Sequence, residues 1–147
     1  MTGAALLDVN VLVALFDPDH VHHEAAHGWF ATSRSRGWAT CPLTENGLVR
    51  ILSNPTYAGS HETPAAVADR LALFCESGHH VFWPDDLSVT DDRRFAWTGA
   101  VTHRLLTDVY LLALATHHGG RLATFDRRIP LAPVHGADRV NLEVIPA

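Results

Sequence analysis

The stretch Ala4-Ala5-Leu6-Leu7-Asp8-Val9-Asn10-Val11-Leu12-Val13-Ala14-Leu15 sets one carboxylate into an otherwise continuous apolar run. Burying an isolated ionised carboxylate costs on the order of several kcal/mol, or shifts its pKa until it is neutral, so buried charges are usually paired or bound to metal. Asp8 therefore calls for a positive partner. Locally, Ala4 to Asp8 reads as a short buried strand. Asn10 is placed to cap a helix running through Leu15, which Asp17-Pro18-Asp19 stops. The carboxylate thus falls at the C-terminal end of a strand.

Working outward, strand and helix patterns alternate. A helix is expected from His22 to about Ser33, a strand over Trp38-Ala39-Thr40-Cys41, and a helix opened by Pro42 over Thr44 to Leu52. Thr63-Pro64 fits the cap and first residue of a helix from Ala65 to Cys75, ended by Gly78. His80-Val81-Phe82-Trp83 reads as a strand, and Asp91 to Trp97 as a short helix after the loop Pro84-Asp85-Asp86. Thr107-Asp108 start the most apolar helix, Val109 to His117, which Gly119-Gly120 close. Being apolar on nearly every side, that helix must be central. Arg121 to Phe125 is a further strand with Asp126 just past it, and Val140 to Ile145 alternates as the last. The pattern predicts a single α/β domain over residues 1–147 around a largely parallel sheet. In such folds ligand sites lie at the C-terminal ends of the strands.

At 147 residues the chain can bury a sizeable core without disulfides or a structural metal. Cys41 and Cys75 lack metal-ribbon or disulfide spacing, which favours reduced thiols. No run approaches the roughly 18 apolar residues of a membrane span, and the start lacks a basic leader, so a cytoplasmic protein is expected. The net charge of −5 argues against a broad basic surface gripping many phosphates. All 11 basic residues are Arg, which suits bidentate phosphate contacts, but the base composition of a GC-rich genome is the favoured explanation of the bias.

Glu45, Asp108 and Asp126 join Asp8 as acids inside or beside apolar runs. Each of these three has an ordinary explanation taken alone: a helix cap for Asp108, a turn for Asp126, a solvated helix face for Glu45. Converging carboxylates repel one another unless divalent cations intervene, and an oxygen-rich set favours Mg²⁺ or Mn²⁺ over zinc. Such ions bind phosphate oxygens and make hydroxide more available, so the inferred chemistry is phosphodiester hydrolysis.

Leu6 to Leu15, Thr44-Glu45-Asn46-Gly47-Leu48-Val49-Arg50, Leu106-Thr107-Asp108-Val109-Tyr110-Leu111-Leu112-Ala113-Leu114-Ala115 and Leu122-Ala123-Thr124-Phe125-Asp126 resemble, in order and spacing, the motifs of the PIN domain. More narrowly, the chain is similar to VapC-type toxins. The resemblance spans Leu6 to Ile145; each motif is short, and their common register carries the weight. It implies a Mg²⁺- or Mn²⁺-dependent endoribonuclease held inactive by a cognate VapB-type antitoxin, commonly as a homodimer. By the same resemblance Asp8 and Asp108 are the firmest metal ligands, Glu45 and Asp126 complete the acidic centre directly or through water, and Asn10 and Thr124 support it by hydrogen bonding. Arg50, Arg104, Arg127 and Arg128 lie near the motifs. Arg127 and Arg128 are the preferred contacts to RNA phosphate or to an acidic antitoxin segment. Trp29, Phe30, Phe74, Phe82 and Trp97 are spaced for core packing rather than for stacking bases.

Two other readings stand beside this one. A catalytically inactive PIN-like module could bind RNA or a partner without cutting, although an intact acidic quartet argues against it. His23-Glu24-Ala25-Ala26-His27, within the histidine-rich segment His20 to His27, matches the H-E-x-x-H helix of zinc proteases. That match lacks a third histidine downstream, leaving only Glu45 or Glu62 as a third ligand.

Overall fold

The fold was taken from a computed structural model, which describes residues 3–57, 62–99 and 101–147. Five short strands form one parallel sheet: β1 (Ala5–Leu7), β2 (Trp38–Thr40), β3 (His80–Phe82), β4 (Arg121–Thr124) and β5 (Leu142–Val144), in the order β3-β2-β1-β4-β5. The helices are α1 (Val9–Phe16), α2 (His23–Ser33), α3 (Pro42–Leu52), α4 (Pro64–Cys75) and α5 (Leu106–His117). This is the α/β fold around a parallel sheet expected from the alternation of elements.

The two-residue period of the strands divides the core. Ala5, Leu7, Trp38 and Ala123 face α1 to α4, while Leu6, Ala39 and Leu122 face α5. Because α5 covers its face of the sheet as the main helix, it is wrapped on all sides, and Val109 through Ala115 are all buried. Its end is set by Gly119, whose φ of 67° suits a left-handed C-cap. Gly119 N–H then donates to Thr116 O at 3.0 Å and Gly120 N–H to Ala115 O at 2.9 Å, closing the last turn.

The strand order places a reversal at β1: the chain moves from β1 to β2 and β3 on one side, then to β4 and β5 on the other. The crevice beyond the ends of β1 and β4 is thus the topological switch point of the sheet, the usual ligand position in open α/β folds.

Several local expectations are corrected. Asp8, not Asn10, caps α1: its backbone is extended and its Oδ1 accepts from Val9 N–H at 2.7 Å. Asn10 lies inside the first turn, where its amide is spent on β4. α5 starts at Leu106, after a 3₁₀ turn at His103–Leu105, so Asp108 stands in the first turn rather than at the cap. No helix forms over Asp91 to Trp97; Asp91 closes turns onto Arg93, and Phe95 bridges to Val134 instead. Val140 falls in a 3₁₀ turn capped by Asp138, which shortens the last strand. Phe82 on the edge strand and Trp97 are exposed, at 49% and 41%, rather than packed in the core.

Candidate metal centre at the sheet switch point

β1 ends directly in Asp8, and β4 ends at Thr124, two residues before Asp126, so adjacent parallel strands deliver both acids to the same edge. Asp8 is 5% exposed. Its position is over-determined by one hydroxyl. Phe125 N–H donates to Asn10 Oδ1 at 3.3 Å, which orients the Asn10 amide so that its Nδ2 donates to Thr124 Oγ1 at 3.2 Å. Asp126 N–H donates to the same oxygen at 3.0 Å. Both lone pairs of the Thr124 hydroxyl are then used, and its single proton goes to Asp8 Oδ2 at 2.7 Å. Both Asp8 oxygens therefore act as acceptors.

Burial nevertheless pushes the Asp8 pKa up; the bonds from Thr124 and Val9 oppose that, and the charge of Asp126 adds to it. Half-buried Asp108 is raised to about 6, first by burial and then by the charges of Asp8 and Asp126, with Arg128 pulling the other way. Asp126 is held below its ordinary value by hydrogen bonds from Arg128, whose Nε and backbone N–H reach Oδ1 at 3.1 and 2.8 Å. Three carboxylates thus act on one another's ionisation, and the cation that answers them, Arg128, is largely solvent-exposed. A hard divalent cation fits this donor set, because it would relieve the repulsion that the arginine leaves and demands only oxygen ligands. A cavity of about 250 Å³ opens beside the acids, lined by Thr102, Arg104, Leu105, Asp108, Asp126 and Arg128. A second, lined in part by Asn10, His22, Phe125 and Arg127, lies on the other side of Asp126.

Glu45 is turned elsewhere. Its Oε2 accepts from Thr40 Oγ1 at 2.6 Å, and its carboxylate lies with Cys75 and His80 rather than in the mutual influence of the three aspartates. Arg127 and Arg128 are exposed at the acidic edge, Arg104 is exposed beside the first cavity, and Arg50 is exposed in the last turn of α3. Thr102 in the lining of the first cavity, and the meeting of Thr40, Cys75 and His80 with Glu45, were missed by the sequence reading. The one available signal was Thr40 at the end of a strand beside β1, the same position in its strand that Thr124 holds in β4.

The H-E-x-x-H histidines have a different task. His23 Nδ1 meets Ala14 O at 2.7 Å, and His27 Nε2 meets Leu15 O at 3.0 Å. Facing carbonyl oxygens, both nitrogens must carry protons and donate. They satisfy last-turn carbonyls of α1 that have no partner within the helix. Glu62, the other suggested ligand, pairs with Arg70.

Comparison with known proteins follows the same direction. A PIN domain profile matches residues 5–134. The chain is similar to "Ribonuclease VapC44" of Mycobacterium tuberculosis, 42% identical over 144 residues, covering 96% of this chain and 99% of that protein. It is also similar to "Ribonuclease VapC39" of the same organism, 48% identical over 122 residues, covering 83% and 88%. "Ribonuclease VapC29" is 44% identical over 131 residues, covering 89% and 90%.

Proposed function

Because the chain belongs to the PIN-domain family and to its VapC ribonucleases, we propose that it is a Mg²⁺-dependent endoribonuclease toxin, with Mn²⁺ as a possible substitute, neutralised by a cognate VapB-type antitoxin. The observation that carries the catalytic part is the convergence of Asp8, Asp108 and Asp126 at the switch point of the sheet, with Asp8 locked by Thr124.

In this reading Asp8, Asp108 and Asp126 hold the ion, and Glu45 would join them only on leaving Thr40. When bound, the ion makes hydroxide available near neutral pH and offsets charge on the scissile phosphate. The protein's own groups do the remaining work. Thr124 and Asn10 fix Asp8 with both oxygens ready to accept. Arg128 keeps Asp126 ionised while remaining exposed enough to meet a phosphate oxygen. Arg104 and Arg127, flanking the two cavities, orient the RNA backbone, and the same cations suit an acidic antitoxin segment laid over the site. Asp108, whose pKa burial and the charges of Asp8 and Asp126 raise to about 6, must lose its proton before the set is complete. Action on RNA in the cytoplasm, as a homodimer, completes the proposal. Among the described residues no helix is long and apolar enough to cross a membrane.

The test is cleavage of structured RNA by purified protein in Mg²⁺, in Mn²⁺ and with chelator, beside Asp8→Asn. Cleavage is expected with either ion, to stop with chelator, and to fall at least ~100-fold in the variant, since a bound cation contributes several kcal/mol of charge stabilisation. Asp8→Asn stays folded, because it removes a buried charge, and loses the upward shift in melting temperature that Mg²⁺ gives the wild type. Equal cleavage by the variant would remove the nuclease site. RNA binding by both proteins without cleavage by either would identify the inactive binding module.

A further inference from the structure

Outside the aspartate centre, three different ligand types meet between α3, α4 and the edge strand. Glu45, Cys75 and His80 each bring a ligand atom to within 4.8 Å of the others, and all three are partly buried. They line a cavity of about 520 Å³ with Pro42, Asn46 and Leu71. Fully buried Thr40 stands beneath them: its hydroxyl contacts Glu45 Oε2 at 2.6 Å and His80 Nε2 at 2.7 Å. A carboxylate can only accept, so Thr40 spends its proton on Glu45, and His80 must donate from Nε2. The imidazole and the carboxylate are therefore both oriented by one buried group, as metal ligands generally are.

We infer that Glu45, Cys75 and His80 form a second cation site, distinct from the aspartate centre, that takes a thiophilic ion of the zinc class. The donor set decides the class. One thiolate, one imidazole and one carboxylate match zinc, whereas Mg²⁺ has no use for sulfur or imidazole. The spacing is also suitable. Tetrahedral zinc bonds of about 2.0 to 2.3 Å put neighbouring ligand atoms roughly 3.3 to 3.8 Å apart, so atoms that already lie within 4.8 Å of one another need close by no more than about 1.5 Å. Cys75 ends α4 and His80 begins β3, so the two flank a single turn, in which Gly78 and His79 take positive φ. That turn fixes their approach, and Glu45 arrives from α3. Three protein ligands leave a fourth position facing the cavity, open to water or to an external donor. Binding deprotonates the Cys75 thiol, with the proton released to solvent, and ties α3, α4 and β3 together. The site is independent of whether the protein cleaves RNA.

Eleven histidines would collect zinc weakly on the surface, so the test must read sulfur. Co²⁺ is titrated into reduced, untagged protein while the thiolate-to-cobalt charge-transfer absorption is followed. One equivalent is expected to develop the band in the wild type and in Asp108→Asn, and Zn²⁺ should bleach it. The band should vanish in Cys75→Ser, and its affinity should drop at least tenfold in His80→Gln. Protection of Cys75 against iodoacetamide, measured by peptide mass spectrometry on the wild type, needs no variant: Zn²⁺ should slow alkylation at least tenfold. A missing band, a band that persists in Cys75→Ser, or Cys75 alkylated equally with and without Zn²⁺ overturns the site. A band with no RNA cleavage in Mg²⁺ leaves this site standing and removes only the nuclease reading.

Discussion

A single hydroxyl, that of Thr124, orients the carboxylate at the heart of the aspartate centre, because two N–H donors occupy its lone pairs and leave its proton only Asp8 to serve. Thr124→Val keeps the shape and removes all three bonds. It strands the Asn10 amide and the Asp126 N–H without an acceptor, so unfolding in urea should show a loss of about 2 kcal/mol. A variant as stable as the wild type would mean that these groups are not bonded as described. Protons and the divalent ion compete at Asp108. Its folded pKa of about 6 lies above the ordinary 3.8, so the metal-free protein binds this proton more tightly than the unfolded chain does. That contribution to stability is full below the unfolded value and is lost as pH rises toward and through the folded one. Mg²⁺ has the opposite preference, binding only the ionised form. Isothermal titration should therefore find affinity nearly constant above pH 7 and weakening by up to tenfold per pH unit below about 6; a flat profile down to pH 5 would exclude Asp108 from the ligand set. At this scale Asp8 was legible as a charge lodged in an apolar run, but the direction of Glu45 was not. A helical residue shows which side of its helix it occupies, and only the neighbouring strands decide whether the carboxylate meets Thr40 or Asp8.

Elements were legible where composition left one choice. The helix α5, apolar on nearly every side, had to lie under the sheet, and Gly119-Gly120 had to end it. Asp91 to Trp97 was not legible, since its turns depend on Asp91 bonding to Arg93 and on Trp97 Nε1 donating to Val89 O at 2.7 Å rather than on any period in the chain. The same limit applies to the junction of α5 with β4. Gly120 is buried where β4 enters beside β1, and a Cβ there would lie 2.3 Å from Ala4 O and 3.0 Å from the Trp83 ring. The first obstacle is backbone that already accepts Arg121 N–H at 3.1 Å, so it cannot withdraw without breaking the β1–β4 pairing. Gly120→Ala should thus cost about 3 kcal/mol, at the upper end of overpacking effects, despite the entropy that alanine removes from the unfolded chain. The measurement is the midpoint of urea unfolding, and an unchanged midpoint would show that the strands meet less closely. Because this pairing holds Asp8 beside Thr124, the damage should extend to Mg²⁺ affinity.

For the whole molecule, the distribution of charge sets how RNA can be held. A net charge of −5 repels a polyanion at long range, so binding must come from a few local contacts, for which Arg104, Arg127 and Arg128 are placed at the acidic edge. Each phosphate neutralised on a single strand contributes about −0.7 to the slope of log affinity against log salt, so three contacts give roughly −2. Fluorescence anisotropy of a labelled RNA with Asp8→Asn, from low to high KCl, should yield that shallow slope, and Arg127→Ala should reduce its magnitude by about 0.7. A slope near −6 would require a basic surface that the composition does not supply, and would point to a partner or a second copy contributing cations. The same balance makes acidification informative. The isoelectric point of about 6.1 means that repulsion reverses below it as histidines charge, while Asp108 is taking up its proton in the same range. RNA binding should therefore strengthen between pH 7.5 and 5.5 as Mg²⁺-dependent cleavage falls, a divergence that a loss of folding could not produce.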